Sequence, residues 1–113
     1  MTQEDKELLL KDLCARLPYG VIIQIKDWTV LDAELKIGHI NRLQINDVEL
    51  KPYLFPMSSM TDEQYKEHWE LEHSGNMEHL SIPALDWLNK NHFDYRGLIE
   101  KGLAIDATSL NIY

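Results

Sequence analysis

The segment Val48–Gln64 limits the possible folds of this chain more than any other. Pro52 and Pro56 each lack a backbone donor and bias Lys51 and Phe55 toward extended geometry, so neither a regular helix nor a central strand is expected to pass through. Tyr53, Leu54 and Phe55 lie between the prolines and are too apolar for a solvated linker. Residues 51–61 therefore read as a hinge packed against a sheet, with its rings buried. The hinge ends in Thr61-Asp-Glu-Gln64, a capping box in which the Thr61 hydroxyl accepts from the Gln64 amide while the Gln64 side chain reaches back. Strand-like patterning precedes this segment and helix-like patterning follows it.

Residues 3–16 read as a helix capped by Thr2, with acids in the first turn and an apolar face of Leu10, Leu13, Cys14 and Leu17. Pro18 and Gly20 end it. Val21, Ile23 and Ile25 then alternate with Ile22, Gln24 and Lys26, Asp27-Trp28-Thr29 forms a turn, and Leu31, Ala33, Leu35 and Ile37 alternate with Asp32, Glu34 and Lys36. Gly38 suggests a bulge or bend, Asn41-Arg42 a tight turn, Leu43 and Ile45 a third strand, and Asn46-Asp47 a further turn before Val48 and Leu50. Helices follow at 62–73, 82–91 and 95–101, separated by Ser74-Gly75-Asn76, opened by Pro83, capped by Asp94 and closed by Gly102. The expected architecture is a single α+β domain over 1–113: an N-terminal helix, a small antiparallel meander or half-open barrel of three to five short strands within 19–50, then two or three C-terminal helices. Leu10, Leu13, Leu17, Val21, Ile23, Ile25, Leu35, Ile37 and Leu54 are expected to share one core. The tail from Ala104 onward carries no pattern.

With 19 acidic residues against 11 Lys and Arg, the net charge is −8, which argues against a surface that wraps nucleic-acid phosphates. A single cysteine, Cys14, permits no internal disulfide, and its apolar helical face predicts a buried, inert thiol. Gln3, Glu4 and Asp5 stand where a secretory leader needs positive charge, and no apolar run reaches the roughly 20 residues of a transmembrane helix. These features predict a cytoplasmic protein that engages no membrane.

No motif names a reaction, cofactor or metal. His68 and His73 are five residues apart rather than the four of a helical zinc pair, and His79 and His92 add no regular spacing. Ser58 and Ser59 lack a nucleophile elbow. What remains are binding candidates. Trp28 at a hairpin tip is either an interface anchor or a ring folded over the sheet. Tyr65 and Trp69 stand one turn apart on a helix whose Glu63, Glu67 and Glu70 offer an acidic face to a basic partner. Asp94 and Arg96 flank Tyr95 where two short helices are expected to meet; they either hold an anionic group or serve as a cap and an ion pair.

Three blocks carry a resemblance: residues 8–21 (Leu8-Leu-Leu-Lys-Asp-Leu-Cys-Ala-Arg-Leu-Pro-Tyr-Gly-Val21), 51–61 (Lys51-Pro-Tyr-Leu-Phe-Pro-Met-Ser-Ser-Met-Thr61) and 86–104 (Asp86-Trp-Leu-Asn-Lys-Asn-His-Phe-Asp-Tyr-Arg-Gly-Leu-Ile-Glu-Lys-Gly-Leu-Ala104). Together they resemble a family of small proteins without assigned activity from phages and prophages of gut Bacteroides-type bacteria. The resemblance implies a phage or mobile-element accessory protein in a bacterial cytosol and assigns no site residue. The functional expectation is a protein-interaction or regulatory module rather than an enzyme, with self-association its simplest form. The alternative is an acidic decoy for a nucleic-acid-binding surface on a host factor, carried by the carboxylates at 62–72.

Overall fold

A computed structural model describes residues 2–46, 48–72 and 82–113. Helix α1, Gln3–Arg16, begins where expected: the Thr2 hydroxyl accepts from the Asp5 amide at 3.1 Å, a cap worth about 1 kcal/mol. Its buried stripe is Leu9, Asp12, Leu13 and Arg16, one residue out of phase with the expected face. Leu10 and Leu17 are only partly buried, and Cys14 is exposed rather than buried. A short 3-10 turn, Leu17–Tyr19, leads to Gly20 at φ 69, where an added Cβ would lie 2.8 Å from the Glu34 carboxylate.

Strands β1, Ile22–Lys26, and β2, Val30–Glu34, form the expected antiparallel hairpin. Leu35 continues inward and donates its amide to the Val21 carbonyl. From there the structure departs from the strand reading: Ile37–Gln44 is helix α2, not a bend followed by a third strand. Ile40 and Leu43 enter the core three residues apart, whereas Ile37 is 61% exposed and Ile45 lies in solvent past the helix end. In eight residues, a period of two and a period of 3.6 pick overlapping apolar positions. The local bonds favour the helix, because the His39 ring nitrogen Nδ1 accepts from the Lys36 amide at 2.9 Å across its first turn.

The prolines do not stop a strand. Strand β3, Glu49–Pro56, runs through both and is the hub of the sheet, antiparallel to β1 and parallel to the two-residue strands β4, Phe93–Asp94, and β5, Ile105–Asp106. Parity explains how. Leu35 bonds to Val21 and Asp27 to Thr29, so odd residues of β1 address β2 and even ones address β3. Lys51 opposite Gln24 is then a bonded pair, and Pro52 opposite Ile23 is not. Farther on, Phe55 donates to the His92 carbonyl, so Pro56 also turns its nitrogen away from that edge. Both missing donors fall on the side where β5 bonds through Leu54 instead, with Ala107 donating to the Leu54 carbonyl at 2.9 Å. The hinge is a strand of a mixed sheet, and the expected burial holds for Tyr53 and Leu54, with Phe55 partly buried.

The Thr61 box is present with both bonds, Gln64 amide to Thr61 hydroxyl at 3.1 Å and Thr61 amide to Gln64 Oε1 at 3.0 Å. It opens α3, Asp62–Glu72, which packs beside α4, Ile82–Lys90. His73 and the break at Ser74-Gly75-Asn76 lie outside the described residues. The helix expected over 95–101 is a turn: the Asp94 carboxylate accepts from the Leu98 and Ile99 amides at 2.9 Å each, and the chain reverses at Gly102, φ 73. The fold is α+β, with α2 set between β2 and β3, and with β4 and β5 returning to the sheet after α3 and α4.

Two apolar clusters result. The larger joins Leu9 and Leu13 of α1 to Val21, Ile23, Ile25, Leu35, Ile40, Leu43, Leu50 and Leu54. The smaller gathers Trp87, Leu88 and Phe93 with Phe55, Met60, Leu71 and Tyr95. Ile37 belongs to neither.

Candidate functional site

Trp28 stands at the tip of the β1–β2 hairpin and is 98% exposed; the ring does not fold back over the sheet. The tip beneath it is braced. The Asp27 carboxylate accepts from the Thr29 amide at 3.2 Å and from the Arg42 guanidinium of α2 at 3.1 Å, and these two bonds, the amide foremost, hold its carboxyl below the usual range. Beyond the tip, β2 is an edge strand with β1 its one strand partner among the described residues. Val30 is 59% exposed and Leu31 is exposed as well, so both faces of the edge offer apolar surface to solvent. The expected inward face of β2 is reduced to a partly buried Ala33.

On α3, Glu63, Glu67 and Glu70 are all exposed and recur at i, i+4 and i+7, a single stripe. Tyr65 and Trp69, 63% and 49% exposed, form an apolar cleft with Lys66 and Glu70 alongside it. The helix is held along an adjoining face, where His68 is buried and its ring lies 5.5 Å from that of Trp87. Trp28 and the α3 residues thus occupy two separate elements.

Asp94 and Arg96 do not form an open anion site. Asp94 is buried and closes the 95–102 turn, while the Arg96 Nε donates to Asp12 at 3.1 Å. The same Asp12 carboxylate accepts from the Arg16 Nε at 2.8 Å, and both side chains of that pair have no solvent exposure. Arg16 reaches on to the Phe93 carbonyl at 2.6 Å, and both guanidiniums lie over the Tyr95 ring, whose hydroxyl donates to Asn89. Sequence reasoning missed this network. The i, i+4 spacing of Asp12 and Arg16 announces an ion pair, but nothing local announces its burial.

Tyr113 is the other residue that the pattern did not reveal. Its hydroxyl accepts from the Ile22 amide at 2.9 Å and donates to the Tyr53 carbonyl at 2.7 Å, taking the place of the next β1–β3 rung. Nearly half of the residue stays in solvent, yet burial of its hydroxyl pushes the phenol up to about 12. Its ring stacks on His92, centroids 3.9 Å apart, and His92 adopts φ 62, uncommon for a residue with a side chain. Burial first, and Arg16 second, lower the imidazole to about 4.

Among the described residues, no group of three or more His, Cys, Asp or Glu is placed to hold a metal, and none of their helices is long and apolar enough to cross a membrane. His73 and His79 fall outside that set. Comparison with protein-family models, curated proteins and solved structures returns no match in any of the three.

Proposed function

We propose that this protein is a small interaction module that binds another protein through the β1–β2 hairpin, with Trp28 as the anchor. The observation that carries this reading is a fully solvated tryptophan on a braced tip next to an apolar edge strand. Burying a tryptophan removes about 150–250 Å² from water, worth roughly 4–6 kcal/mol at 25 cal/mol per Å². The Asp27 bonds fix the tip in advance, so little ordering entropy opposes that gain. Strand addition along β2 supplies main-chain bonds, and the Glu63, Glu67 and Glu70 stripe favours a basic partner. The sequence resemblance adds a setting, a phage or mobile-element accessory protein in a bacterial cytosol. A second reading, the acidic decoy, rests on the same stripe standing in solvent along one helix face.

Affinity capture from a bacterial lysate, with the oligomeric state measured by light scattering, tests the proposal. Trp28→Ala should abolish capture or dissociate a homo-oligomer, and reversing Glu63, Glu67 and Glu70 to Lys should weaken binding most at low salt. If Trp28→Ala leaves capture unchanged while the triple reversal abolishes it, the decoy reading stands instead. Turnover of a nucleotide or peptide without any captured partner would overturn both.

A further inference from the structure

The carboxyl-rich surface of this chain is interrupted at one cavity of about 450 Å³, bounded by Phe55, Ser59, Gln64, Lys90, Asn91, His92, Phe93, Thr108 and Tyr113. None of these nine residues is acidic, in a chain with 19 Asp and Glu. Its charged member is Lys90, exposed at the end of α4 and without an ion pair among the described residues. A second cation stands behind the wall: Arg16, fully buried, donates to the Phe93 carbonyl, and its Nη1 has no hydrogen-bond partner. Arg16 shares Asp12 with Arg96, and the buried Asp94 carboxylate closes the adjoining turn, so this group of four charges is balanced and Lys90 supplies the cationic contact.

Two side-chain amides of the lining have donors to spare, whereas the Ser59, Thr108 and Tyr113 hydroxyls already donate to the Pro56 carbonyl, Asp106 and the Tyr53 carbonyl. Gln64 commits its Oε1 to the Thr61 amide, which leaves its NH₂ for the cavity, and Asn91 uses one of two amide protons on the Trp87 carbonyl. The walls are flat and aromatic. Phe55 lies 5.8 Å from Tyr113 and 6.2 Å from Phe93, and Tyr113 is stacked on His92, whose Nδ1 is buried without a partner. The left-handed backbone of His92 presents this ring at the cavity, and a strained conformation of this kind is a recurrent mark of a working site.

We infer that this cavity binds a small organic anion, with a planar ring against the aromatic wall and its carboxylate or phosphate on Lys90 and the Gln64 and Asn91 amides. The volume falls within the range of small-ligand sites, and a charge-assisted bond to a lysine supplies orientation. This site lies apart from the hairpin tip and does not depend on the interaction reading.

Titration of the intact protein with benzoate and with phenyl phosphate, followed by calorimetry and by ¹⁵N-resolved NMR, tests the inference, with benzamide and benzylamine as neutral and cationic controls. Saturable binding of either anion that shifts the Phe55, Asn91 and His92 amide signals is expected, and the tighter of the two identifies the headgroup. Lys90→Gln should weaken anion binding roughly tenfold or more with an unchanged melting temperature, and Lys90→Arg should retain it. Equal affinity for the anions and the controls would overturn the site, as would a Lys90→Gln variant that binds benzoate normally. So would the absence of saturation at about 10 mM, where a 1 mM site would be roughly nine-tenths full.

Discussion

Replacing Asp12 with Asn preserves side-chain shape and removes one charge, so it isolates the electrostatics of the buried network. In the native protein this carboxylate holds Arg16 at 2.8 Å and Arg96 at 3.1 Å, with no exposure at Asp12 or Arg16. Each such contact is worth about 4 kcal/mol at an effective dielectric of 20, against a desolvation cost of several kcal/mol per buried ion. Much of that gain only offsets burial. Removing the carboxylate loses the attraction and leaves the desolvation of Arg16 in place, so Asp12→Asn should cost about 3–5 kcal/mol. That is a large share of the roughly 5–15 kcal/mol of a whole domain, and an unfolded fraction should appear in mild urea. By contrast, the exposed Lys36–Glu34 pair at 2.9 Å should be worth less than about 1 kcal/mol, so Lys36→Ala serves as the control. Urea unfolding followed by circular dichroism measures both, and an unchanged m-value shows that the native state, rather than the denatured one, was altered. A joint Asp12→Leu, Arg16→Met, Arg96→Met variant should recover most of the loss, because no charge is then stranded. If Asp12→Asn cost no more than the Lys36 control, the network would have no energetic role and the reasoning would fail.

His92 should impose a pH dependence on stability. Its imidazole is lowered from 6.5 to about 4 in the fold, so the stabilisation is complete above pH 6.5 and is lost as pH falls toward 4. Allowing for its partial exposure, the change should be on the order of 1–3 kcal/mol. His92→Asn, which tolerates the positive φ, should flatten urea midpoints between pH 7 and 4.5 relative to wild type; identical slopes would refute the assignment. His39, also lowered by burial and nearby cations, should act in the same direction more weakly. For the core, Leu13→Ala or Ile23→Ala should cost about 2–5 kcal/mol, whereas Ile37→Ser should stay within about 0.5 kcal/mol, as read by melting temperature. A large loss at Ile37 would contradict its exposed position on α2.

What could be read from the sequence was what neighbouring residues decide among themselves. The Thr2 cap, the alternation of Val21, Ile23 and Ile25, and the Thr61–Gln64 box each involve residues within four positions, and each appears as expected. The features that escaped depend on distant partners. Whether Pro52 and Pro56 break a strand depends on which edge their nitrogens face, and that parity is set by β1 and β4, some 30 or more residues away in sequence. The same holds for Tyr113, whose hydroxyl joins Ile22 to Tyr53 across separations of 91 and 60 residues. Asp94 and Arg96 could be read from the sequence as an anion site or as a cap and an ion pair; the acid that engages Arg96 is Asp12, 84 residues earlier. Of the candidate site, the position of Trp28 at a hairpin tip was legible and its exposure was not, since a ring at a tip is free to fold either way.

The placement of these groups separates the stabilising network from the tip proposed to bind a partner. Asp12 and Arg16 on α1 bond to residues 93–96, which carry part of the smaller cluster, while their neighbours Leu9 and Leu13 belong to the larger one. The charged seam therefore ties the two cores together at the centre of the fold. The hairpin tip carries none of this. Trp28, Val30 and Leu31 are all exposed, and the tip is fixed by an ion pair to α2 rather than by burial of its own ring. A side chain that contributes no buried area can be removed without opening a cavity, so Trp28→Ala should leave unfolding free energy within about 0.5 kcal/mol of wild type. Any loss of partner capture in that variant would then report binding and not folding, which is the property that makes the tip a decisive place to test the interaction proposal.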